Sequence, residues 1–330
     1  MATPTGFSTR LLNVQCGKEV TWGTAVAATA RAADLTKATF EANIQTEQYQ
    51  DVGSLAPANS ADVVYSDGKI TLEGRYTFED APLFHQSMVA LVAPTGVGPY
   101  VRGPYTAPNS ASYTPISYTF EYGITGSVVL YKAAGCLLTE LEITFKSKEV
   151  WMYKATFACK SVSVLSALAA LSDRALTRPR ARDTLLYLDA IGGTPGATAV
   201  SGFLRDFKLS IKTGIHMKDF VGDVAPSGFG IDSFEGELEM SVELVTATKA
   251  ELDALLGATL VERFIRVKAT RSTQIEQIDF AGYQDGSGQT LFEDNDGNIG
   301  LKLKYKGKYD VTQAYWLKFT NTSTVATLPF

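Results

Sequence analysis

Two segments of the chain alternate apolar and polar side chains, and they do so in the same register. The first segment is Gly68–Asp80 and the second is Gly236–Thr248, which lies 168 residues further along. Ile70 aligns with Leu238, and the polar positions on either side of them align as well. Alternation with a period of two is typical of half-buried β-strands. The sequence therefore predicts the same strand at two places in the chain.

A short amphipathic helix is predicted after each of these strands. Asp80 and Thr248 align with each other, and both residue types are favoured at helix N-caps. Pro82 falls in the first turn, where its missing N–H costs little. In the second copy Thr248 and Glu251 have the spacing of a capping box. The strand and its helix together predict one structural unit that occurs twice.

Weaker matches extend the repeat over the rest of the chain. A segment that begins at Phe40 resembles one that begins at Phe207. Each half also closes with a hairpin pattern, in Leu141–Phe145 and Val150–Phe157, and in Leu301–Tyr305 and Val311–Phe319. We predict a mainly β protein with minor α content, in which two tandem domains each carry one flanking helix. The predicted segments are an N-terminal extension, 1–38, a first domain, 39–165, a linker, 166–182, and a second domain, 183–330.

The joint between the two copies combines an apolar run with a basic run. Ser163–Leu171 is rich in Ala and Leu and is predicted to form a helix. Arg174–Arg182 follows, with four arginines in nine residues. This basic run is either a polyanion-binding patch or a solvated linker or interface strap, and we favour the second interpretation.

Another irregular stretch, Val92–Ser117, contains five prolines. Proline cannot donate to a sheet ladder and breaks a helix interior, so the segment is predicted to be neither a central strand nor a helix. Its tyrosines, Tyr100, Tyr105 and Tyr113, are of a residue type enriched at protein interfaces. We predict that this loop contacts another protein surface.

The composition is that of a folded globular chain, and it argues against catalysis. The chain is 45% hydrophobic and 20% charged, with a net charge of −5. This acidic excess disfavours a surface that grips nucleic acid through its phosphates. His85 and His216 are the only histidines, and the three cysteines lack the spacing of a zinc site. Glutamates on several strands leave a glycoside-hydrolase pair open, but their regular alternation is typical of a solvated sheet face.

These observations lead us to predict no enzymatic activity, no cofactor and no metal. The sequence has no run of 18 apolar residues, so we expect no membrane insertion. It also lacks a basic segment followed by an apolar segment at its N-terminus, so we expect it to stay in the cytoplasm where it is made.

The polar faces of the two closing hairpins carry opposite charges. Glu140 and Glu142 of the first half align near Lys302 and Lys304 of the second. If the copies lie side by side in a closed ring, these faces would pair across the seam and disfavour wrong neighbours. Two independent solvent faces are the alternative.

The chain resembles the tail tube proteins, or major tail proteins, of long-tailed bacteriophages, in a tandem two-domain form. The resemblance covers most of the chain and is carried by Gly17–Thr24, by Gly68–Glu73 with its capped helix, and by Gly135–Phe145. It implies that each domain is a β-sandwich or small barrel with one flanking helix. Sheets of neighbouring subunits would join into an inner barrel, and a duplicated chain would form a homotrimeric ring of six pseudo-equivalent domains. Stacked rings would form the hollow tube through which DNA leaves the virion.

The resemblance also implies functional residues and partners. An acidic lumen would let double-stranded DNA slide without sticking, and the candidate lumen residues are Glu73, Glu237, Glu239 and Glu243. Val92–Ser117 and the N-terminal segment would connect successive rings. Besides itself, the chain would contact the tape measure, tail tip and terminator proteins of the virion tail. The alternative is a carbohydrate-binding or adhesive β-sandwich module of a phage fibre or cell surface, with Tyr100, Tyr105 and Tyr113 as exposed aromatics.

Overall fold

The computed structural model describes residues 11–32, 34–53, 55–58, 60–109, 113–124, 130–200, 204–257, 260–287, 293–295 and 297–328. Strands make up 54% of it and helices 7%. The prediction of a mainly β protein with minor α content is therefore confirmed. Residues 1–10 of the predicted N-terminal extension lie outside the described residues.

The described elements fall into a first and a second half of the chain. Those of the first half are β1 (Asn13–Lys18), β2 (Ala30–Arg31), β3 (Leu35–Tyr49), β4 (Ser60–Arg75), α1 (Ala81–Met88), β5 (Tyr100–Thr106), β6 (Tyr118–Gly123), β7 (Leu130–Lys146), β8 (Met152–Cys159) and β9 (Ser161–Val164). Those of the second half are β10 (Thr184–Ala190), β11 (Leu204–Lys212), β12 (Ile215–Lys218), β13 (Gly228–Ile231), β14 (Glu235–Glu243), α2 (Thr246–Leu256), β15 (Glu262–Arg271), β16 (Gln274–Gln284), β17 (Glu293–Asn295), β18 (Asn298–Gly307) and β19 (Leu317–Ser323).

The two halves use the same pattern of antiparallel pairings. In the first half β1 pairs with β6, β3 with β4, β4 with β8, and β7 with β6, β8 and β9. In the second half β10 pairs with β15, β11 with β14, β14 with β18, and β16 with β15, β18 and β19. Each element of the first set therefore has a counterpart in the second, in the same chain order.

Two strand pairings join the halves to each other. β7 pairs with β11 over Glu140–Lys146 and Asp206–Lys212, which gives one sheet in the order β3-β4-β8-β7-β11-β14-β18. We call it the seven-strand sheet. Outside this sheet, β5 of the first half pairs with β19 of the second. The halves thus share ladder hydrogen bonds at two separate places.

One face of the seven-strand sheet is apolar and buried. Leu72, Leu141, Leu209 and Leu238 come from four different strands of this sheet, and each is at most 1% exposed. They belong to one hydrophobic cluster that also includes residues of strands outside this sheet. Period-two alternation leaves the other face of each strand polar. The predicted half-buried strands are therefore present on both sides of the junction.

Aromatic packing continues across the β7–β11 junction. The ring of Phe145 stacks on that of Trp151 in its own half, with centroids 5.0 Å apart. It also stacks on Phe207 of the second half at the same centroid distance of 5.0 Å. The junction is therefore a packed part of the core, in addition to a ladder of backbone hydrogen bonds.

The helices follow β4 and β14 as predicted, but their caps differ from the prediction. Asp80 occupies the N-cap of α1 without a side-chain cap, because its carboxylate accepts a hydrogen bond from Arg174 at 2.6 Å. Thr248 lies within α2, where its hydroxyl accepts the Val245 N–H at 2.8 Å. Glu251 binds Arg263 on β15 and takes no part in a capping box. Tertiary partners thus replace the expected local hydrogen bonds of Asp80 and Glu251, whereas Thr248 keeps a local one.

The joint between the halves is a strap without the predicted helix. Ser161–Val164 forms β9, and residues 165–180 contain no helix. Arg174 binds Asp80, and the guanidinium of Arg178 binds the carboxylate of Asp34. These arginines are tied to carboxylates of the first half, which supports the interface strap over a polyanion patch. A run this short cannot sustain a helix when its backbone has tertiary partners.

Part of the proline-rich stretch is also ordered as a strand. β5 contains Pro104 and pairs with β19 across a register shift between Phe319 and Asn321. Proline is tolerated there because a bulge or an edge leaves one N–H position outside the ladder.

The pairings also correct the match between the closing hairpins. The sequence match predicts that β7 and β8 correspond to β18 and β19. The strand pairings instead make β16 and β18 the counterparts of β7 and β8. Phe40 likewise faces Ile70 while Leu209 faces Leu238, so the counterpart of Phe40 is Leu209 and not Phe207. Strands with the same alternation resemble one another, so the pattern alone does not identify the partner.

Candidate sheet lining and assembly surfaces

The polar face of the seven-strand sheet carries charges of alternating sign along a row across the strands. Cross-strand neighbours in this row are Lys37, Glu73, Lys154, Glu142, Ser210, Glu237 and Lys306. A second row runs through Thr144, Lys208, Glu239 and Lys304. Opposite charges directly across a sheet attract weakly and like charges repel. The register therefore places each of these glutamates beside at least one lysine.

All four predicted lumen glutamates have a basic partner on this face. The carboxylates of Glu237 and Glu239 lie 2.5 and 3.5 Å from the ammonium groups of Lys304 and Lys302. Glu243 binds Arg205 at 3.2 Å. Glu73 lies 3.8 Å from both Lys37 and Lys154. Partly exposed pairs of this kind contribute about 0–1 kcal/mol each, so they set the charge of the face more than the stability of the fold.

Within one chain, the predicted seam residues lie at two separate places. Glu142 does lie at the junction between the halves, and its carboxylate binds Lys208 of β11 at 2.8 Å. Glu140 is the cross-strand neighbour of Lys212. Lys302 and Lys304 instead lie on β18 and pair with glutamates of β14 within the second half. The chain does not bring them to Glu140 or Glu142.

The basic partners at the junction, Lys208 and Lys212, were missed by the sequence reasoning. Their signal was present, since both are polar positions in the alternation that begins at Phe207. Which acidic strand they would face depends on the β7–β11 pairing, which no local pattern specifies.

One edge of the seven-strand sheet is formed by β3. Among the described residues β3 pairs with β4 alone, whereas its counterpart β11 pairs with both β14 and β7. An unpaired strand edge presents a row of backbone N–H and C=O groups that another strand can bind. The β3 edge is therefore a candidate contact for a second chain.

Two hairpin arms extend from the same end of the sheet. The first is the outer part of β3 and β4, and the second is formed by β12 and β13. The Tyr65 hydroxyl donates to the Asp219 carboxylate at 2.8 Å, and the Ser66 N–H donates to the Val224 carbonyl at 2.9 Å. Their tips expose apolar side chains, including Val52, Leu55, Phe220 and Val221. Clustered exposed apolar residues mark an interaction surface.

A model of the phage tail tube protein family matches residues 9–306 of the chain. The chain belongs to this family. No curated protein matches it. Family membership makes this tail tube protein a structural component of a phage tail tube and places it in the virion tail.

The three candidate interface tyrosines of the tail tube chain lie between its own halves. Tyr105 is fully buried in β5, and burial raises its pKa to about 12. The ring of Tyr113 makes an edge contact with Phe234 of the second half at 6.5 Å. Tyr100 begins β5 and pairs with Ser323 of β19. They do not form the exposed aromatic platform that the carbohydrate-binding alternative needs.

A buried polar network also joins the halves of the tail tube chain. The Glu276 carboxylate accepts hydrogen bonds from the Tyr76 hydroxyl at 3.1 Å and from the Asn321 amide at 2.7 Å. His85 of α1 lies 3.2 Å from the same carboxylate and stacks on Phe319. Tyr76, His85, Glu276 and Asn321 are all 0% exposed. The sequence around His85 carries no signal for these partners.

Within the described ranges, no group of three or more His, Cys, Asp and Glu side chains is arranged to hold a metal ion. The cysteines are free and buried, and burial raises the pKa of Cys16 to about 12. No helix in the described part of the chain is long and apolar enough to cross a membrane.

Proposed function

We propose that this tail tube protein self-assembles into homotrimeric rings, which stack into the hollow tube through which DNA leaves the virion. Each chain would supply two copies of one domain, so that a ring contains six. The matched strand pairings of the two halves support this duplication, with β1 as the counterpart of β10. This pairing supports a first domain that begins near Asn13, whereas the sequence suggested a boundary near residue 38.

The observation that carries the proposal is the junction between β7 and β11. It already joins the first and second halves into one continuous sheet inside a single chain. Its counterpart between chains would add β16, the counterpart of β7, to the unpaired edge of β3 in the next chain. Repeating one type of junction around a rotation axis closes a ring.

The polar face of the seven-strand sheet would then line the lumen. The opposite face is the buried core, so this is the face of the sheet that is left for solvent and DNA. Glu73, Glu237, Glu239 and Glu243 would be lumen residues in this arrangement, together with their basic partners.

The arms would connect one ring to the next. Their tips combine apolar side chains with the carboxylates of Asp51, Asp219 and Asp223. The opposite end of the sheet has a groove of about 620 Å³ whose lining includes Lys148, Arg182 and Arg205. Opposite charge at the two ends favours head-to-tail stacking and disfavours head-to-head contact.

The remaining partners are those of a long-tailed phage virion. We propose contacts with the tape measure, tail tip and terminator proteins at the ends and in the lumen of the tube, and synthesis in the host cytoplasm before assembly. The apolar arm tips that cap one ring would also be the surface offered to a terminal protein.

Electron microscopy of the purified chain tests this proposal. We expect rings with three chains and six domain-sized lobes, which stack into tubes. A variant with Asn-Gly in place of residues 51–58 shortens the first arm outside the core, and we expect it to form rings that stack poorly. Its unchanged thermal unfolding would be the control for folding. Monodisperse monomers that bind glycans would contradict the proposal.

A further inference from the structure

The proposed lumen lining is charge-balanced along its main row. The row from Lys37 to Lys306 contains three lysines and three glutamates, so their charges cancel. The net charge of −5 of the whole chain therefore does not describe this face. The whole acidic excess therefore lies outside this row.

The spacing of these charges determines what a DNA phosphate would encounter. Neighbouring strands are about 4.8 Å apart, whereas screening in about 0.1 M salt acts over about 10 Å. Opposite charges at this spacing cancel each other within a short distance of the surface. A phosphate outside the face therefore meets neither a strong repulsion nor an uncompensated cation.

The lysines remain accessible in spite of their partners. The side chains of Lys208, Lys302 and Lys304 are 44%, 44% and 30% exposed. Their carboxylate partners, Glu142, Glu239 and Glu237, are 36%, 26% and 36% exposed. Without these carboxylates, Lys302 and Lys304 would lie two residues apart on β18, and Lys208 two strands away on the same open face, where their ammonium groups could bind phosphates.

We propose that the lining avoids adhesion to DNA by pairing its lysines with glutamates, and that these lysines are a latent phosphate-binding surface. This differs from an acidic lumen that repels DNA by net charge. The inference rests on the proposed function, because it takes the polar face of the seven-strand sheet as the face that DNA passes.

The test removes the carboxylates and keeps the shape of the side chains. A triple variant with Glu142→Gln, Glu237→Gln and Glu239→Gln is compared with the unmodified full chain. The measurement is fluorescence anisotropy of a labelled 20-base-pair duplex in about 50 mM salt, at protein concentrations where the chain is monomeric. We expect the triple variant to bind at least about tenfold more tightly. We also expect a log–log salt dependence with a slope of about −2.7, since each phosphate contact contributes about −0.9.

Two matched variants separate local pairing from net charge. Glu47→Gln, Glu149→Gln and Asp253→Asn change the net charge equally at exposed positions outside the lining rows, and we expect no gain in binding. Lys208→Gln, Lys302→Gln and Lys304→Gln make the face acidic, and we expect binding no stronger than that of the unmodified chain. Equal gains in both charge-matched triple variants would overturn the inference, as would no gain in the lining variant.

Failure of this inference can be distinguished from failure of the proposed function. Binding is measured on the monomer, whereas tube formation is examined by microscopy of the same preparations. Tubes together with an inert lining variant contradict the latent surface alone. A chain that never forms rings contradicts the proposed function, whatever the duplex binding shows. Thermal unfolding of each variant confirms that it is folded.

Discussion

Removal of the Glu276 carboxylate tests whether the two halves are held together by the buried network between them. Glu276 of β16 meets Tyr76 and His85 of the first half, and Asn321 of the second, with all four side chains fully buried. A Glu276→Ala substitution removes the acceptor that these groups share. The surrounding donors cannot reach water, so the loss of their shared acceptor lowers the free energy of unfolding directly.

The expected magnitude follows from what each partner can still bind. The Tyr76 hydroxyl keeps a contact with His85 Nε2 at 3.1 Å, so it can redirect its hydrogen bond. The Asn321 amide keeps its bond to the Phe78 carbonyl at 2.9 Å but loses its second acceptor. One unsatisfied buried donor costs about 1–3 kcal/mol. The cavity left by the side chain adds to this, so we expect a loss of about 2–4 kcal/mol.

Urea unfolding followed by tryptophan fluorescence and circular dichroism provides the assay. Trp151 lies in the first half and Trp316 in the second, so fluorescence reports on both. Glu276→Gln keeps the shape and one acceptor, and we expect it to lose less than half as much stability. Glu235→Ala, at an exposed strand position, is the control and should change stability by under about 0.5 kcal/mol. A Glu276→Ala loss as small as that of the control would refute the reasoning.

Three further outcomes are expected from buried side chains and close contacts. Iodoacetamide should leave the cysteines of the folded chain unmodified, because all three are buried; mass spectrometry that finds rapid labelling before urea is added contradicts this. Burial raises the pKa of Tyr105 from 10.0 to about 12, so between these pH values the folded state keeps a proton that the unfolded state has lost. The free energy of unfolding should therefore fall as pH rises above about 10, and a Tyr105→Phe variant should show a shallower fall in urea titrations; equal slopes argue against the assignment. Gly236→Ala would place a methyl carbon 2.5 Å from the Trp316 ring and should cost about 1–3 kcal/mol in the same titrations. Gly228→Ala, whose nearest neighbour would be 4.0 Å away, is its control, and equal costs would exclude the clash.

The sequence supported those parts of the fold that depend on local pattern. Alternation around Ile70 and Leu238 identified matching strands, and each is followed by a helix in the structure. What it missed depends on distant partners. The strap around Arg178 is fixed by Asp34, and β5 becomes a strand because it pairs with β19. No pattern in the sequence near Arg178 or near β5 identifies these distant partners.

The candidate lining was likewise predictable in its local pattern but not in its distant partners. Alternation placed Glu73 and Glu237 on polar strand faces, because successive side chains of a strand point to opposite faces of the sheet. It could not give the sign of their neighbours, which depends on register between strands that are distant in sequence. The face that was expected to be acidic therefore carries a row in which lysine and glutamate charges cancel. Lys208 at the junction was identified only from the β7–β11 pairing.

Cryo-electron microscopy of assembled tubes tests the central claim most directly. We expect each ring to contain three chains and six copies of the domain in one closed sheet, with the polar face of the seven-strand sheet in the lumen. The edge of β3 should meet the second domain of the next chain in the manner in which β7 meets β11. A ring with six chains, or tubes in which this polar face lies on the outside, would contradict the account.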